Sequence, residues 1–136
     1  MTQEDKELLL KDLCSRLPYN PIVEYKGETY NVLGIAHGRL VLCKPFMSNT
    51  LGECPLVEEV KLYLFPMSSM HEEQKREYNW LCNDVPTYHY EYGDIVEDIE
   101  LCDNWRSIDY LIAHHFDYRG LIPMGLANDA TGLNVY

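Results

Sequence analysis

One β-rich stretch near the start of the chain, IVEYKGETYNVLGIAHGRLVLC, constrains the fold more than any other part of the sequence. Ile22–Tyr25 and residues 28–35 are rich in β-forming side chains, and the Lys-Gly pair at 26–27 suits a tight turn whose glycine accepts positive φ. A His-Gly pair at 37–38 marks a second reversal, after which Arg39–Cys43 continues as a third strand. Three short strands joined by tight turns predict an antiparallel meander.

A helical pattern precedes this meander. Thr2 and Asp5 have the spacing of a capping box, in which each side chain accepts a hydrogen bond from the backbone N–H of the other residue. Leu9 and Leu13 then recur on one helical face. The pattern predicts an amphipathic helix over residues 3–17.

A fourth strand and two more helices follow the meander. Apolar and polar residues alternate over residues 60–64, which is typical of a half-buried strand. Ser69 stands three residues before a glutamate, and this second capping-box pattern predicts a helix over about residues 70–82. Helical spacing over residues 105–116 predicts a last helix, with Gly120 as its C-terminal cap.

The order of these elements predicts an α+β domain. Tyrosines alternate with polar residues over 88–92, so we expect a fifth strand there, with an aromatic face that is buried or forms an interface. A meander of about five short strands often curls into a half-open, SH3-like barrel, and we expect N-terminal, middle and C-terminal helices around it. The length of 136 residues fits a single domain, residues 1–136.

The overall charge excludes several classes of partner. The chain has 11 basic and 22 acidic side chains, a net charge of −11, which disfavours direct binding of nucleic acid or of an anionic membrane surface. Its apolar runs are too short to span a bilayer, and the acidic N-terminal segment resembles neither a signal peptide nor a transit peptide. We expect no membrane partner, whereas homo-oligomer formation stays open.

The five cysteines are widely spaced, and none forms a C-x-x-C pair. This spacing favours neither a disulfide framework nor a zinc knuckle. Cys14, Cys43 and Cys102 adjoin leucines in apolar segments, and we expect them to be buried. The pattern predicts a protein of a reducing cytoplasm.

Much of the negative charge is concentrated before and at the start of the last predicted helix. A run of this kind is usually a solvated face, but it could also dock a basic partner protein or mimic DNA. The acidic run contains no EF-hand pattern, so the sequence does not predict a calcium site there. The residues of the run are Glu91, Asp94, Glu97, Asp98, Glu100, Asp103 and Asp109, and the first six are our candidates for partner docking.

The adjacent histidines His114 and His115 are the first candidates for catalysis. On a regular helix adjacent side chains point about 100° apart, so both cannot bind one ion. With Asp117 they nevertheless define one alternative function, a small hydrolase that uses a divalent metal. The competing interpretation gives these histidines packing or capping roles, and we predict no resident metal and no cofactor.

The segment from Asp117 to Gly120 also contains groups that could bind a ligand. Tyr118 and Arg119 could anchor a planar or anionic ligand, since a guanidinium forms bidentate hydrogen bonds to such groups. A basic residue near the end of a helix also commonly pairs with the last carbonyl oxygens. We therefore expect a structural role for Arg119 more than a binding role.

Three segments, KDLCSRLPYNPIVEYKG, LYLFPMSSMHEEQK and IDYLIAHHFDYRGLIPMGLA, resemble small proteins encoded in phages and prophages of gut Bacteroidales. The resemblance covers most of the chain in order and is most distinctive around residues 114–120. The part between Cys82 and Trp105 is shorter here than in those proteins. The resemblance implies a phage accessory protein in a bacterial cytoplasm and assigns a role to no residue.

Together these features predict a non-catalytic cytoplasmic binding protein that docks on a host protein or sequesters a small ligand. Inhibition of a host defence is one form that this function could take. The alternatives are the metal hydrolase built on His114, His115 and Asp117, and an acidic inhibitor that mimics DNA.

Overall fold

The structure is a computed structural model that describes residues 1–45, 49–82 and 105–136. Its described part contains three α-helices and five strands, which confirms the α+β class with N-terminal, middle and C-terminal helices. In chain order these elements are α1 (Gln3–Arg16), β1 (Ile22–Tyr25), β2 (Glu28–Ala36), β3 (Arg39–Cys43), β4 (Lys61–Leu64), α2 (Glu72–Cys82), α3 (Trp105–Ala113) and β5 (Ala127–Asp129).

The five strands form one open, mostly antiparallel sheet in the order β3-β2-β1-β4-β5. The predicted meander of β1, β2 and β3 is confirmed, and β4 pairs with the free side of β1. The fifth strand is β5, which runs parallel to β4 and comes from a tail without apolar periodicity. The strand expected over residues 88–92 lies outside the described residues, and the SH3-like arrangement stays a prediction.

Helix α1 begins with the predicted capping box. The Asp5 N–H donates to Thr2 Oγ1 at 3.1 Å, and the Thr2 N–H donates to Asp5 Oδ2 at 3.2 Å. The helix ends at Arg16, one residue earlier than predicted, and a 3₁₀ turn over Leu17–Tyr19 follows. Leu9, Leu13 and Arg16 are buried, so this face of the helix is fixed against the rest of the protein.

Helix α2 begins at a different cap from the one that the sequence predicts. The box of Ser69 and Glu72 is absent, and the Ser69 hydroxyl donates instead to the carbonyl of Pro66 at 2.6 Å. The His71 N–H donates to Gln74 Oε1 at 3.2 Å, and the Gln74 N–H faces His71 Nδ1 at 3.4 Å. The histidine ring accepts a hydrogen bond in the way that a Ser or Thr hydroxyl does. The capping box therefore forms between His71 and Gln74, two residues after the predicted one.

Helix α3 ends at Ala113, well before the predicted Gly120 cap. His115 has a φ of +63°, the Phe116 N–H donates to the Leu111 carbonyl at 2.8 Å, and the His115 N–H donates to the Ile112 carbonyl at 3.1 Å. These two bonds define a Schellman motif with His115 at the left-handed position that glycine usually occupies. His114 and His115 are therefore in the turn that follows the helix.

The apolar residues form two main clusters. The larger one packs α1 against the sheet and includes Leu13, Val23 and Leu62. The second joins α2 to α3 and contains Tyr78 and Leu111. The segment that follows α3 connects the two regions, because its backbone pairs with the residue after β4 through bonds of 2.8 Å.

The cysteines differ from the prediction at two points. Cys43 is buried as expected, but Cys14 is an exposed thiol, as is Cys54. Cys82, at the C-terminal end of α2, is disulfide-bonded, although the cysteine spacing favours no disulfide framework. The prediction for Cys102 falls outside the described residues.

Candidate functional site

The last turn of α1 and the segment after α3 meet in a buried ionic cluster. Arg16 donates through Nε to Asp12 Oδ2 at 2.8 Å and through Nη2 to the carbonyl of Phe116 at 2.7 Å. Arg119 donates through Nε to Asp12 Oδ1 at 3.1 Å. Asp12 and Arg16 are both 0 % exposed, so one carboxylate joins two guanidinium groups inside the protein. We call Asp12, Arg16, Tyr118 and Arg119 the ionic cluster.

Tyr118 completes the ionic cluster. Its hydroxyl accepts a hydrogen bond from Arg119 Nη2 at 2.6 Å. The guanidinium carbons of Arg16 and Arg119 lie 5.5 and 4.8 Å from the centre of its ring, within the range of cation–π interactions. The geometry of Arg119 supports the structural role that we expected. Its bonds go to Asp12 and Tyr118, however, and not to the last carbonyls of a helix.

Asp117 organises the loop behind this cluster. Its two carboxylate oxygens accept hydrogen bonds from the N–H groups of Leu121 and Ile122, at 2.8 and 2.9 Å. The residue is buried, and bonds from N–H groups to a carboxylate are among the stronger hydrogen bonds in proteins. Both oxygens are therefore engaged in holding the backbone.

The two histidines have separate aromatic partners. The His114 ring stacks on Tyr110 with centroids 4.1 Å apart, and its Nδ1 lies 2.9 Å from the Tyr110 carbonyl. The His115 ring stacks on Tyr136 with centroids 3.6 Å apart. The hydroxyl of Tyr136 donates to the Tyr63 carbonyl at 2.8 Å, which fixes the tail against β4.

The environment of His115 disfavours its charged form. Burial, and then the positive charge of Arg16 and the neighbouring His114, lower the pKa of His115 to about 4. Its buried Nδ1 has no hydrogen-bond partner among the described residues. A neutral ring stacked on Tyr136 is a packing element, and it is poorly placed to serve as a general acid at neutral pH.

The structure therefore does not assemble the site of the predicted hydrolase. His114 lies against the Tyr110 carbonyl, His115 stacks on Tyr136, and Asp117 accepts bonds from the backbone that follows it. Over the three described ranges, no group of three or more potential metal ligands comes together.

All six acidic docking candidates fall outside the described residues. They are Glu91, Asp94, Glu97, Asp98, Glu100 and Asp103. Asp109, the last member of the acidic run, accepts a hydrogen bond from the Tyr19 hydroxyl at 2.7 Å. One of the seven acids therefore links α3 to the turn after α1.

A groove of about 480 Å³, open to solvent, lies along α2 and α3 and is lined by Arg76, Glu77, Trp80, Leu81 and Tyr110. Four of these residues follow one another at helical spacing on the last two turns of α2. Sequence reasoning did not propose this site. Its one visible signal is Trp80, a large apolar residue that falls off the apolar stripe of α2 and is 42 % exposed in the fold.

The groove contains unusual polar groups as well as apolar surface. Tyr110 is 8 % exposed, and its buried hydroxyl makes no well-aligned hydrogen bond with the part of the chain that the structure describes. Burial, then the interaction of this hydroxyl with the Glu77 carboxylate, and last the negative charges of Glu77 and Glu73 raise its pKa far above the usual range. The hydroxyl therefore stays protonated, with negative charge beside it.

No protein-family model matches this chain, and comparison with curated proteins and with solved structures gave no significant match. Among the described helices, none combines the length and the apolar character needed to cross a membrane. The function has to be argued from the side chains themselves.

Proposed function

We propose that this protein is a non-catalytic binding protein that docks a basic partner protein on the groove between α2 and α3. The observation that carries the proposal is the contrast between two sets of side chains. The charged and aromatic groups at 114–119 bond to one another and to the backbone. The groove, in contrast, presents an exposed tryptophan beside charged groups.

Trp80 is the natural anchor of such an interface. Tryptophan is enriched among the residues that contribute most to protein–protein binding, because it buries a large area with little loss of conformational freedom. Leu81 adds apolar surface beside it, and Arg76 and Glu77 supply a polar rim. An apolar centre with a charged rim is the usual composition of a protein interface.

The charge distribution favours a basic partner. The chain between Cys82, where α2 ends, and Trp105, where α3 begins, contains seven acidic and no basic side chains. In the sequence this segment joins the two helices that line the groove. Opposite charge would speed association and make it sensitive to salt. With the phage resemblance, we propose a bacterial host protein as this partner.

A random peptide library displayed on phage tests the proposal without a known partner. We expect the wild-type protein to select peptides in which an apolar anchor is flanked by lysine or arginine. Trp80→Ala should weaken binding of the selected peptides by about tenfold, as expected for the loss of an interface anchor. Leu33→Ala is the matched control, because Leu33 is 54 % exposed on the sheet, away from the groove.

The proposal is wrong if the selected peptides are acidic, or if Trp80→Ala and Leu33→Ala bind them as the wild type does. Sequestration of a small ligand would appear instead as binding that needs no basic flanks. The DNA-mimic alternative depends on acids outside the described residues and stays a prediction, as does the homo-oligomer. The metal hydrolase stays an untested alternative, and we do not propose it because His114, His115 and Asp117 contact different parts of the protein.

A cytoplasmic location is part of the proposal, supported by the free thiols of Cys14, Cys43 and Cys54. The disulfide at Cys82 argues against it, since stable disulfides are rare in a reducing cytoplasm. Alkylation of intact cells before lysis decides the question. Labelling of Cys82 to the same extent as Cys14 supports the cytoplasm, and protection of Cys82 until reduction contradicts it.

A further inference from the structure

We infer that the groove between α2 and α3 binds a cationic side chain with an apolar stem, a lysine or arginine of the partner. The inference rests on the proposed function and specifies the chemistry of the group that enters the groove. Three features of the groove support it: a buried hydroxyl with no well-aligned hydrogen bond in the described ranges, the carboxylate of Glu77 that interacts with this hydroxyl, and an exposed indole next to a leucine.

The Tyr110 hydroxyl can accept a hydrogen bond from a group in the groove. It is buried, lines the groove and has no well-aligned hydrogen bond within the described ranges. Its interaction with the Glu77 carboxylate uses the hydroxyl proton and leaves the oxygen able to accept a bond from a group that enters the groove. Because the hydroxyl oxygen has free lone pairs, it can accept a hydrogen bond from an ammonium or guanidinium N–H.

The surrounding charge selects a cation over an anion. Glu77 lines the groove, and the carboxylates of Glu77 and Glu73 both act on the Tyr110 hydroxyl. Among the described residues that line the groove, Arg76 is the one basic side chain, and it is exposed at the rim. A bound cation can donate to Glu77 and Tyr110 together, whereas an anion would meet two carboxylates at that end.

The apolar wall fits the stem of such a side chain. Lysine and arginine carry three or four methylene groups that pack on apolar surface while the charged end bonds elsewhere. Leu81 offers that surface, and the exposed indole of Trp80 is the best aromatic partner for a cation. A neutral apolar side chain would use only this half of the groove.

Two small probes test the inference. Nα-acetyl-lysine methylamide and its norleucine analogue have equivalent stems and differ in the ammonium group. The chain has two tryptophans, so in the Trp105→Phe variant the single indole N–H resonance reports on Trp80. We expect the lysine probe to shift this resonance and to bind about fivefold more tightly than the norleucine probe.

Glu77→Gln should abolish that preference, because it removes the carboxylate from the groove and keeps the shape of the side chain. Glu72→Gln is the matched control: it removes the same charge from α2 at an exposed position that does not line the groove. Equal loss of preference in the two variants would show a general effect of charge and overturn the inference.

Failure of the inference and failure of the proposed function give different results. If norleucine binds as tightly as lysine and Trp80→Ala still weakens the selected peptides, the groove is an interface but not a cation site. If neither probe shifts the Trp80 resonance at tens of millimolar, the inference is wrong. If in addition no peptide depends on Trp80, the proposed function is wrong as well.

Discussion

The ionic cluster and the groove contain similar kinds of side chain in opposite situations. In the cluster, Asp12 bonds to two arginines, and the two charges that are fully buried compensate each other. In the groove, Trp80 is exposed and the Tyr110 hydroxyl is without a well-aligned bond in the described ranges. Each region has a buried polar atom without a well-aligned bond in the described ranges, Arg16 Nη1 in the cluster and the Tyr110 hydroxyl in the groove, but only the groove opens to solvent beside an exposed tryptophan.

This difference shows why residue type alone identifies the wrong site. A cluster of His, Asp, Tyr and Arg looks functional in a sequence because such groups can bind ligands or transfer protons. When the same groups are paired with one another inside the protein, their bonding groups are occupied and removal of one partner is destabilising. A surface available for binding is better recognised by large apolar and polar groups whose interactions remain unsatisfied.

The largest expected effect comes from Asp12→Ala. This change would leave the buried Arg16 without its compensating charge, and it should reduce the free energy of unfolding by about 3–5 kcal/mol. Urea unfolding followed by circular dichroism measures the loss. Lys11→Ala, the exposed neighbour on α1, should change stability by less than about 0.5 kcal/mol. Similar values for the two variants would contradict the role of the cluster.

Asp117→Asn should have the next largest effect. An amide presents one acceptor oxygen where the carboxylate serves two backbone N–H groups, so we expect a loss of about 1.5–3 kcal/mol in urea unfolding. Asp109→Asn serves as the control, because its bond to Tyr19 is exposed and should contribute less than about 1 kcal/mol. Equal losses would mean that Asp117 does not organise the loop.

The stacked His115 predicts a smaller, pH-dependent effect. Folding lowers its pKa from 6.5 to about 4, so the unfolded chain takes up the proton first and stability should fall as the pH drops through that window. His115→Asn, which tolerates positive φ, should lose less stability in acid than the wild type. His37→Asn, at an exposed turn with a φ of +54°, should respond to acid as the wild type does. The assignment to His115 is wrong if both variants behave alike.

Trp80→Ala should have the smallest effect on stability. Its indole is 42 % exposed, and a surface change of this kind should alter the free energy of unfolding by less than about 1 kcal/mol. Urea unfolding measures it, in parallel with peptide binding. A loss of several kcal/mol would show that Trp80 is part of the core and would remove the reason for treating the groove as a binding surface.

Local signals in the sequence predicted most of the fold. The Thr2–Asp5 box and the turn pairs between the first strands depend on neighbouring residues, and each is confirmed. The predicted C-terminal end of α3 was wrong, because the apolar spacing continues to Phe116 whereas the backbone leaves the helix at His115. Glycine is the usual residue at positive φ, so Gly120 was a better candidate than a histidine.

The candidate site depends on contacts that no local pattern contains. Asp12 and Arg119 are 107 positions apart and meet only because the segment after α3 packs against α1. The groove requires α2 and α3 to pack together, and its lining combines residues from both. The sequence shows that Trp80 lies off the apolar stripe of α2, but it does not show which side chains surround Trp80.

The central claim is that the groove, and not the ionic cluster, is the surface that binds the partner. The most direct test compares Trp80→Ala with Arg119→Gln for affinity to one peptide selected by the wild-type protein, measured by titration calorimetry on folded samples. We predict about a tenfold loss for Trp80→Ala and wild-type affinity for Arg119→Gln. Loss of affinity in Arg119→Gln with full affinity in Trp80→Ala would contradict the claim.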